Sequence, residues 1–386
     1  MLTDLQLPAG ARIAPVFTLK IKNKVLEENI TERVINLTVT DYSGFAADTL
    51  TLTFDDGDRQ LEMPARGTVL HLHMGWSKQA LYDCGYFTVD TVTHSGSPDR
   101  IAVTARSADF RGSFETKRSQ SYDDYTLGAI VRIIASRNNF PLPVIDQDLD
   151  NIPIPHIDQT DENDGYFLTR LAQNYGAQAT VKNGSILFFK PFTGRTASGQ
   201  ALPWNTLVRS DGDSHTFKLV DTLAYESVKA QWHDVKKAAT TSVALKRTLT
   251  QTSNSQKQHP ASVMPSAELN TPAKEETKSY IAGSGNKVLL LTTLYPDEQS
   301  ARRAADSVFN RIQTESSTFS IKLALGRADL SAQMPVTVQG FKDVIDRQRW
   351  VINSVVHNLN EKGFTTTLNL KVYTADITYQ SSISAL

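Results

Sequence analysis

Two stretches of this chain, residues 86–106 and 349–370, repeat one pattern of apolar and polar residues. In the first, YFTVDTVTH precedes a turn and a second apolar run, and in the second RWVINSVVH does the same. A single offset of 263 residues, without a gap, aligns Phe87 with Trp350, Val89 with Ile352, Asp90 with Asn353, Val92 with Val355, His94 with His357 and Ile101 with Phe364. A duplicated β-unit without reaction chemistry in either copy is typical of a building block in an assembly rather than of an enzyme.

The repeated strand contains a slip in its alternation. In the first copy the apolar positions change parity after Val89, and in the second copy they change after Ile352. Such a slip requires one extra residue in the strand. The pattern therefore predicts β-bulges near Asp90-Thr91 and near Asn353-Ser354. Bulges bend and twist strands, as the closure of a barrel requires.

The composition limits what the chain can do. At 386 residues it is long enough for roughly two to four domains. Its 40 Lys+Arg against 41 Asp+Glu give a net charge of −1, which is no global footprint of a nucleic-acid-binding protein. Cys84 is the single cysteine, so an intrachain disulfide is impossible and synthesis in a reducing cytoplasm is expected. The N-terminus has no basic segment followed by an apolar one, and no apolar run reaches the ~20 residues that cross a bilayer.

Periodicity divides the chain into a first β-domain, an α/β insertion and a second, split β-domain. Residues 1–111 alternate with period two between turn-rich stretches, which predicts an antiparallel barrel. Residues 112–205 carry two amphipathic helical patterns and an Asn183-Gly184 hairpin signal, which predict a small α/β domain. The fold class expected is mixed β with α/β insertions, containing two similar antiparallel β-barrel domains.

The second β-domain is predicted to consist of residues 206–235 and 317–378, interrupted by an insertion over residues 236–316. Because the start of this insertion has no aromatic residue and is rich in Thr, Ser, Lys and Gln, we expect a flexible segment there. A strand in the run KVLLLTTLYP follows it, and then a helix over residues 297–314. Residues 379–386 form a C-terminal tail.

Several longer motifs carry a family resemblance: RSADFRG (106–112), PHIDQTDENDGYFLTRLAQNYGA (155–177), RSDGDSH (209–215), LALGRADL (323–330) and GFKDVIDRQRWVINSVVHNL (340–359). With the order of domains, they resemble the late control protein D family of contractile-tailed phages and R-type tailocins, which is the baseplate hub. The hub region of type VI secretion spike proteins is similar.

The resemblance implies a homotrimer in which two barrel domains per chain make a pseudo-sixfold ring. Such a ring joins the sixfold tail tube to the threefold central spike. The partners implied are the tail tube protein, a separate spike protein, other baseplate proteins and the tape measure protein. The expected location is the virion tail baseplate, after synthesis in the host bacterial cytoplasm. A small-molecule substrate, sequence-specific nucleic acid and insertion into membranes are not expected.

Candidate sites for chemistry are weak in this sequence, and the prediction is of no catalytic, cofactor or metal site. His71 and His73 lie on one strand face, but a third metal ligand is not visible. Acidic residues around His156 suggest helix capping and dipole partners more than catalysis: Asp158, Asp161, Glu162 and Asp164. Residues 283–287, GSGNK, lack the phosphate-loop spacing, and Cys84 has no nucleophile signature.

The remaining polar features have structural explanations too. His94 and His357 occupy equivalent positions, as do Asp90 and Asn353, and such pairs in duplicated sheets fix bulges or line interfaces. Residues 236–278 hold seven Lys/Arg and three Glu. A solvated linker is the interpretation we favour for this segment, and a nucleic-acid-binding tail, with a role for the protein as a regulator of transcription, is an alternative. A structural hub is the function predicted, and a tail-associated peptidoglycan hydrolase is the alternative.

Overall fold

The computed structural model describes residues 14–21, 24–44, 47–107, 114, 116–182, 184–220, 225–234, 239–248, 287–375 and 377–385. Within these residues the chain is mostly β-strand with few helices, as the alternation predicted. It divides into two compact units, the first formed by residues 1–218 with 317–375 and the second by residues 219–316 with 376–386. Elements are numbered along the chain.

The first strand module begins the larger unit. Its elements are β1 Pro15–Ile21, β2 Lys24–Val25, α1 Glu28–Thr31, β3 Val34–Tyr42, β4 Thr49–Asp55, β5 Val69–Trp76, β6 Tyr82–Ser95 and β7 Arg100–Arg106. Along β4 the even positions Leu50, Leu52 and Phe54 are buried and the threonines between them are partly exposed. This alternation gives each strand one apolar face, and the faces together form the core of the module.

The second strand module completes the main sheet of the same unit. Its elements are β13 Asn205–Val208, β14 Gly212–Leu219, β18 Ser317–Leu323, β19 Pro335–Gln339, α6 Asp343–Asp346, β20 Trp350–Asn360 and β21 Gly363–Val372. Trp350 is fully buried, and its indole Nε1 donates to the carbonyl of Ile345 at 3.1 Å.

The strand order of the two modules is the same. In the first, five strands run in the order β5-β6-β7-β4-β3, and in the second β19-β20-β21-β18-β14. In each module the last three of these five strands in chain order form a meander, β5-β6-β7 and β19-β20-β21. The two strands that come earlier in the chain continue the sheet next to the last strand of the meander. Phe87 on β6 and Trp350 on β20 therefore occupy equivalent strands, and the duplication seen in the sequence extends to the topology.

Both predicted bulges are confirmed. The pairing of β6 with β7 shifts register between Val89 and Thr91, and that of β20 with β21 shifts between Ile352 and Ser354. The extra residues are thus Asp90 and Asn353, one at each copy of the repeat.

The ungapped alignment of the second strand is wrong by two residues. His94 pairs with Ile101 on β7, whereas His357 pairs with Thr366 on β21, so Ile101 corresponds to Thr366 and not to Phe364. The hairpin of the second copy is longer by two residues than that of the first. An offset that is wrong by two preserves the inward and outward faces, so the apolar pattern alone did not reveal it.

One strand pair joins the two modules into a continuous sheet. Residues Asn36–Tyr42 of β3 run antiparallel to Ser354–Asn360 of β20. A side chain strengthens the connection, since Trp76 Nε1 donates to the carbonyl of Gly326 at 2.8 Å and its ring lies 5.5 Å from that of Phe364. A Cβ on Gly326 would lie 2.4 Å from the Phe364 ring, so glycine is required for this approach.

The α/β domain lies between the modules in the chain. Its elements are β8 Lys117–Thr126, α2 Leu127–Arg137, β9 Val144–Ile145, α3 Gln147–Asp150, β10 Pro153–Asn163, α4 Asp164–Asn174, β11 Gln178–Lys182 and β12 Ser185–Phe189. Both predicted helices are present, with Thr126 and Asn163 as N-caps that accept from backbone amides. The predicted hairpin is present as well, closed by the pair Lys182 and Ser185.

The acidic cluster does not lie at a helix start as predicted. His156 to Asn163 form the end of β10, which pairs with β8, and only Asp164 lies in the first turn of α4. The capping interpretation is therefore wrong for His156, Asp158, Asp161 and Glu162. Helix propensity signals at a strand-to-helix boundary do not locate the boundary itself.

The smaller unit contains a four-stranded sheet covered by one helix. Its elements are β15 Ser227–Asp234, β16 Ala239–Thr248, β17 Val288–Tyr295, α5 Glu298–Ser316 and β22 Thr378–Ala385, and the strand order is β17-β15-β16-β22. Val228 and Trp232 on β15 share a core with Ala301, Ala305 and Phe309 of α5.

Two predicted boundaries are corrected by this unit. β15 pairs with β16 and β17, so residues 227–234 do not form one sheet with residues 317–372 as predicted. Residues 239–248, expected to be flexible, form β16, where Val243 and Leu245 are buried. Residues 249–286, which hold most of the predicted flexible segment, lie outside the described residues. Among the described helices, none has the length and apolarity needed to cross a membrane.

A buried ion pair organises the α/β domain and generates a prediction. The Asp164 carboxylate is fully buried and accepts from Arg137 Nε at 2.8 Å, Gln159 Nε2 at 2.8 Å and Asn138 Nδ2 at 2.6 Å. Asp164→Asn leaves the Arg137 guanidinium without its counter-charge, and we expect it to lower the free energy of unfolding by about 3–5 kcal/mol. Urea unfolding of the purified chain measures this.

Asp161→Asn is the matched control. Asp161 also forms an ion pair, with Lys117 at 3.0 Å, but both side chains are exposed, so we expect a change below ~1 kcal/mol. Equal effects of the two substitutions would contradict the assignment of Asp164 as the organising group.

Candidate functional site

A cleft of about 550 Å³ opens within the larger unit, where several segments of the fold meet. Residues from β3, the start of β6, the hairpin β11–β12 and the segment before β19 line it. It is the place where the strand modules and the α/β domain come together, and several polar and charged side chains stand among the apolar ones that line it. The principal groups are Asp41, Asp48, Lys182, Gln333 and His357.

Lys182 is the charge at the centre of this cleft. Its ammonium forms an ion pair with Asp41 and lies 3.5 Å from Asp48 Oδ2. Burial by itself disfavours the ammonium, but the two carboxylates outweigh it and the pKa of Lys182 is raised. Burial raises the pKa of Asp48 to about 7, with Lys182 opposing the shift. The three groups therefore carry less net charge near neutral pH than two free carboxylates and an ammonium would suggest.

Asp41 also connects two parts of the sheet. Its Oδ2 accepts from the backbone amide of Ala332 at 2.8 Å, and Asp48 Oδ1 accepts from the amide of Tyr42 at 3.0 Å. The carboxylates thus hold the end of β3, the segment before β19 and the hairpin strand that carries Lys182. This is the geometry of a structural clamp, because the charged groups bind protein backbone and each other.

A second polar chain runs beside the first. Ser43 Oγ donates to Gln178 Oε1 at 3.0 Å, and Gln333 Nε2 donates to Ser43 Oγ. Gln333 Oε1 in turn accepts from the amide of Phe192 at 2.7 Å. Because these amides and hydroxyls satisfy one another, the chain fixes the docking of the α/β domain and leaves no nucleophile activated by a base.

The two equivalent histidines have different surroundings. His357 is buried, its Nδ1 lies 2.9 Å from Thr366 Oγ1, and burial lowers its pKa to about 4. His94 is exposed, with its Nε2 at 3.8 Å from Asp56 Oδ2. Sequence equivalence therefore did not bring the two side chains into one site, and each serves its own module.

The other residues considered from sequence do not assemble into a catalytic group. His156 lies between Asp123 at 2.6 Å and Asp158 at 3.1 Å, on different ring nitrogens. Glu162 forms an ion pair with Arg170 at 2.7 Å. Asp161 and Asp164 likewise pair with Lys117 and Arg137. Burial raises the pKa of the Cys84 thiol to about 12, so it is not a reactive thiolate near neutral pH.

The glycine-containing segment 283–287 lies outside the described residues except for Lys287. Sequence reasoning missed the Asp41–Asp48–Lys182 group entirely. Asp41 and Lys182, which form the ion pair, are 141 residues apart in the chain, and no local motif links the three residues. His71 and His73 do lie on one face of β5, and the structure adds Asp83 beside them.

Two groups in the cleft give the stability of the protein opposite dependences on pH. Folding raises the pKa of Asp48 from its ordinary 3.8 to about 7, so this group makes stability fall as pH rises through that window. Folding lowers the pKa of His357 from 6.5 to about 4, so this group makes stability rise between those values. In the wild-type protein the contributions of Asp48 and His357 to the pH dependence of stability therefore oppose each other between roughly pH 5 and 6.5.

Single substitutions separate the two contributions. With Asp48→Asn we expect the free energy of unfolding to rise with pH between about pH 5 and 6.5, and with His357→Gln to fall, each by at most ~1.4 kcal/mol per pH unit. Urea unfolding at a series of pH values, at constant protein concentration, measures both slopes. Parallel slopes in the two variants would contradict the assignment.

Comparisons with known proteins show that the chain is similar to baseplate hub proteins of phage tails. A family model described as the phage tail baseplate hub (GPD) matches residues 49–363. A probable baseplate hub protein of Escherichia phage 186 is 44% identical over 385 residues, 99% of each chain. The corresponding protein of Escherichia phage P2 is 42% identical over the same length, again 99% of each chain.

Two solved structures share the fold at low identity. The 43 kDa tail protein of prophage MuSo2 from Shewanella oneidensis has a TM-score of 0.61 at 12% identity, covering 94% of this chain and 99% of that one. An Escherichia coli component of the type VI secretion system has a TM-score of 0.53 at 14% identity, covering 92% and 76%. The resemblance predicted from the motifs is thereby confirmed: the chain belongs to the phage tail baseplate hub (GPD) family, whose place is the tail baseplate of the virion.

Proposed function

We propose that this protein is a structural hub in which three copies form a pseudo-sixfold ring between the sixfold tail tube and a threefold spike. The observation that carries the proposal is the repeated strand order of the two modules, together with two strand edges, in β6 and β14, that have no partner among the described strands. The polar groups of the cleft support a structural protein, because they bind each other and the backbone. The argument for the ring follows from the way the two modules are joined within one chain.

The first unpaired edge is the second half of β6. β5 pairs with β6 only as far as Thr88, and among the described strands nothing pairs with Thr91–Ser95 on the side away from β7. The equivalent part of β20, from Ser354 onward, is covered by β3. The difference is visible in burial, since Val355 and His357 are buried whereas Val92 is half-buried and His94 exposed.

The second unpaired edge is β14. Within the described residues it is the last strand of the sheet and pairs with β18 alone. Its residues are exposed or half-buried throughout. In the first module the equivalent strand is β3, which has buried residues at Leu37, Val39 and Thr40 because β20 covers its outer edge.

The pairing of β20 with β3 within the chain shows how the edges of β6 and β14 could pair between two copies. Within the chain, the joint places β20 of the second module against β3 of the first. The same joint, repeated between copies, would place β6 of one chain against β14 of the next, since β6 is equivalent to β20 and β14 to β3. Three chains would then supply three internal joints and three joints between copies, alternating around a ring of six modules.

The register of the joint between copies follows from comparing the two modules row by row, where a row is the set of residues that lie directly opposite one another on neighbouring strands. Val39, Leu50, Ala105 and Val89 form one row in the first module. Phe319, Leu370 and Ile352 form the matching row in the second. The amide of Val220, just after β14, donates to the carbonyl of Ser316, just before β18, so counting back along the two strands places Phe217 beside Phe319 in this row. Phe217 thus takes the position of Val39. Since His357 faces Val39 in the internal joint, His94 should face Phe217 of the next copy.

A ring of this symmetry fits the partners of a hub. Six similar modules match a sixfold tube on one face, while three chains match a threefold spike on the other. Closed rings joined end to end need compatible copy numbers, and a duplicated chain in three copies provides both. The proposed partners are accordingly the tail tube protein, the spike and neighbouring baseplate proteins.

A disulfide tests the joint at the level of single residues. In a Cys84→Ser background, His94→Cys combined with Phe217→Cys should crosslink different chains under mild oxidation. Directly opposite residues of antiparallel strands have Cα atoms ~4.5–5.5 Å apart, within the range of a disulfide. Non-reducing electrophoresis should show a series that ends at three linked chains, and light scattering of the wild-type protein should give three times the chain mass.

The internal joint provides the control. Asn36→Cys with Asn360→Cys, in the same background, places two thiols directly opposite each other within one chain. That pair should oxidise without a change in mass. If it closes while the His94/Phe217 pair gives single chains only, or if wild-type protein at high concentration has the mass of one chain, the proposed ring is wrong.

A further inference from the structure

His71, His73 and Asp83 form a compact cluster at one end of the first module. The two histidines lie on β5 at positions i and i+2 and share a face of the sheet, and Asp83 lies on β6. His71 Nε2 lies 2.8 Å from Asp83 Oδ1, and His73 Nε2 lies 3.9 Å from Asp83 Oδ2. One potential ligand atom from each residue lies within 4.8 Å of the others.

A β-bulge brings the third residue into place. In the pairing of β5 with β6, Leu72 faces Gly85 but His73 faces Asp83, so Cys84 is the extra residue. Without that bulge, Asp83 would be displaced by one position and its side chain would point to the opposite face. The sequence could not reveal this ligand because its position depends on the register of two strands.

The cluster is held by its surroundings. The ring of Tyr86 stacks on His71 with centroids 4.0 Å apart, and the amide of Gly85 donates to Asp83 Oδ1 at 2.8 Å. His73 Nδ1 is buried and has no hydrogen-bond partner.

We propose that His71, His73 and Asp83 bind a divalent transition-metal ion, Zn²⁺ being the best match. Imidazole nitrogens and a carboxylate oxygen are ordinary zinc ligands, and three protein ligands leave a fourth position for water or another group. Ligand atoms ~2.0–2.1 Å from a tetrahedral ion lie ~3.3 Å from one another. The observed separations of 2.8 Å and 3.9 Å lie on either side of that value, so small side-chain rotations would suffice.

Binding requires that His71 Nε2 offer its lone pair to the ion, so the single hydrogen of the neutral ring stands on Nδ1. A cleft of about 360 Å³ beside His71 and Tyr86 gives access from solvent. Lys20 faces His71 from β1, and its positive charge opposes the ion and limits affinity.

His156 provides a built-in comparison. It too contacts two carboxylates, at 2.6 Å and 3.1 Å, but through different ring nitrogens that point in opposite directions. These groups do not converge on one point, so they make an exposed ion-pair network and no metal site.

The experiment is a titration of the full chain, stripped with chelator, with Zn²⁺ by calorimetry and with Co²⁺ by visible absorption. We expect one site per chain and a Co²⁺ spectrum of tetrahedral intensity. His71→Ala, His73→Ala and Asp83→Asn should each weaken Zn²⁺ binding by more than the ~10–100-fold that loss of an outer-shell partner costs. Lys20→Met leaves all three ligands in place and should tighten binding several-fold.

His156→Ala is the control and should leave the affinity unchanged. Circular dichroism of each metal-free variant verifies folding, and Lys20→Met tests the site even if a ligand variant does not fold. Absence of a stoichiometric site in the wild-type chain, equal affinity in Asp83→Asn, or no gain in Lys20→Met would overturn the proposal. This outcome is independent of the mass and crosslinking that test the ring.

Discussion

The pairing of β3 with β20 is the contact on which the rest of the larger unit depends. It makes one continuous sheet from two modules that lie far apart in the chain, over residues Asn36–Tyr42 and Ser354–Asn360. The same strand β3 carries Asp41 next to its last residue, and the Asp41 carboxylate holds Lys182 of the α/β hairpin and the amide of Ala332. A single strand therefore sets both the alignment of the modules and the docking of the α/β domain, and its residues serve backbone pairing and charge compensation at once.

Much of this fold could be predicted from the sequence, because its signals are local. Alternation gave the strands, the change of parity after Val89 and Ile352 gave both bulges, and the helical spacing of apolar residues gave helices α2 and α4. The predictions that were wrong, the sheet that β15 joins and the alignment of the second repeated strand, depend on strand partners that are distant in the chain. A strand such as β15 has the same alternation whichever sheet it joins, and an alignment wrong by two preserves every face.

The candidate site was less predictable than the fold for the same reason. Asp41 and Asp48 lie in the first strand module and Lys182 lies in the α/β domain, and none of them stands in a motif. Asp83 reaches the two histidines of β5 only because a bulge shifts the register of its strand. The sequence correctly placed His71 and His73 on one face, yet the ligand set required the pairing of neighbouring strands, which periodicity does not specify.

The two equivalent histidines illustrate what duplication does and does not preserve. His357 is buried beneath β3, and His94 is exposed at the corresponding place. The strand that carries each is the same, so the difference comes from what lies next to it. In a protein built from repeated units, an uncovered position whose counterpart is covered indicates where another molecule belongs.

The unpaired edges of β6 and β14 have a further consequence. They are different surfaces, so a contact between them is head-to-tail, and head-to-tail contacts produce either closed rings or endless fibres. In the ring proposed above, the angle between the two modules, set by the β3–β20 joint, would decide which. Rigidity of that joint would then stop growth at a finite particle, and an edge that otherwise invites aggregation would be covered once the ring closed.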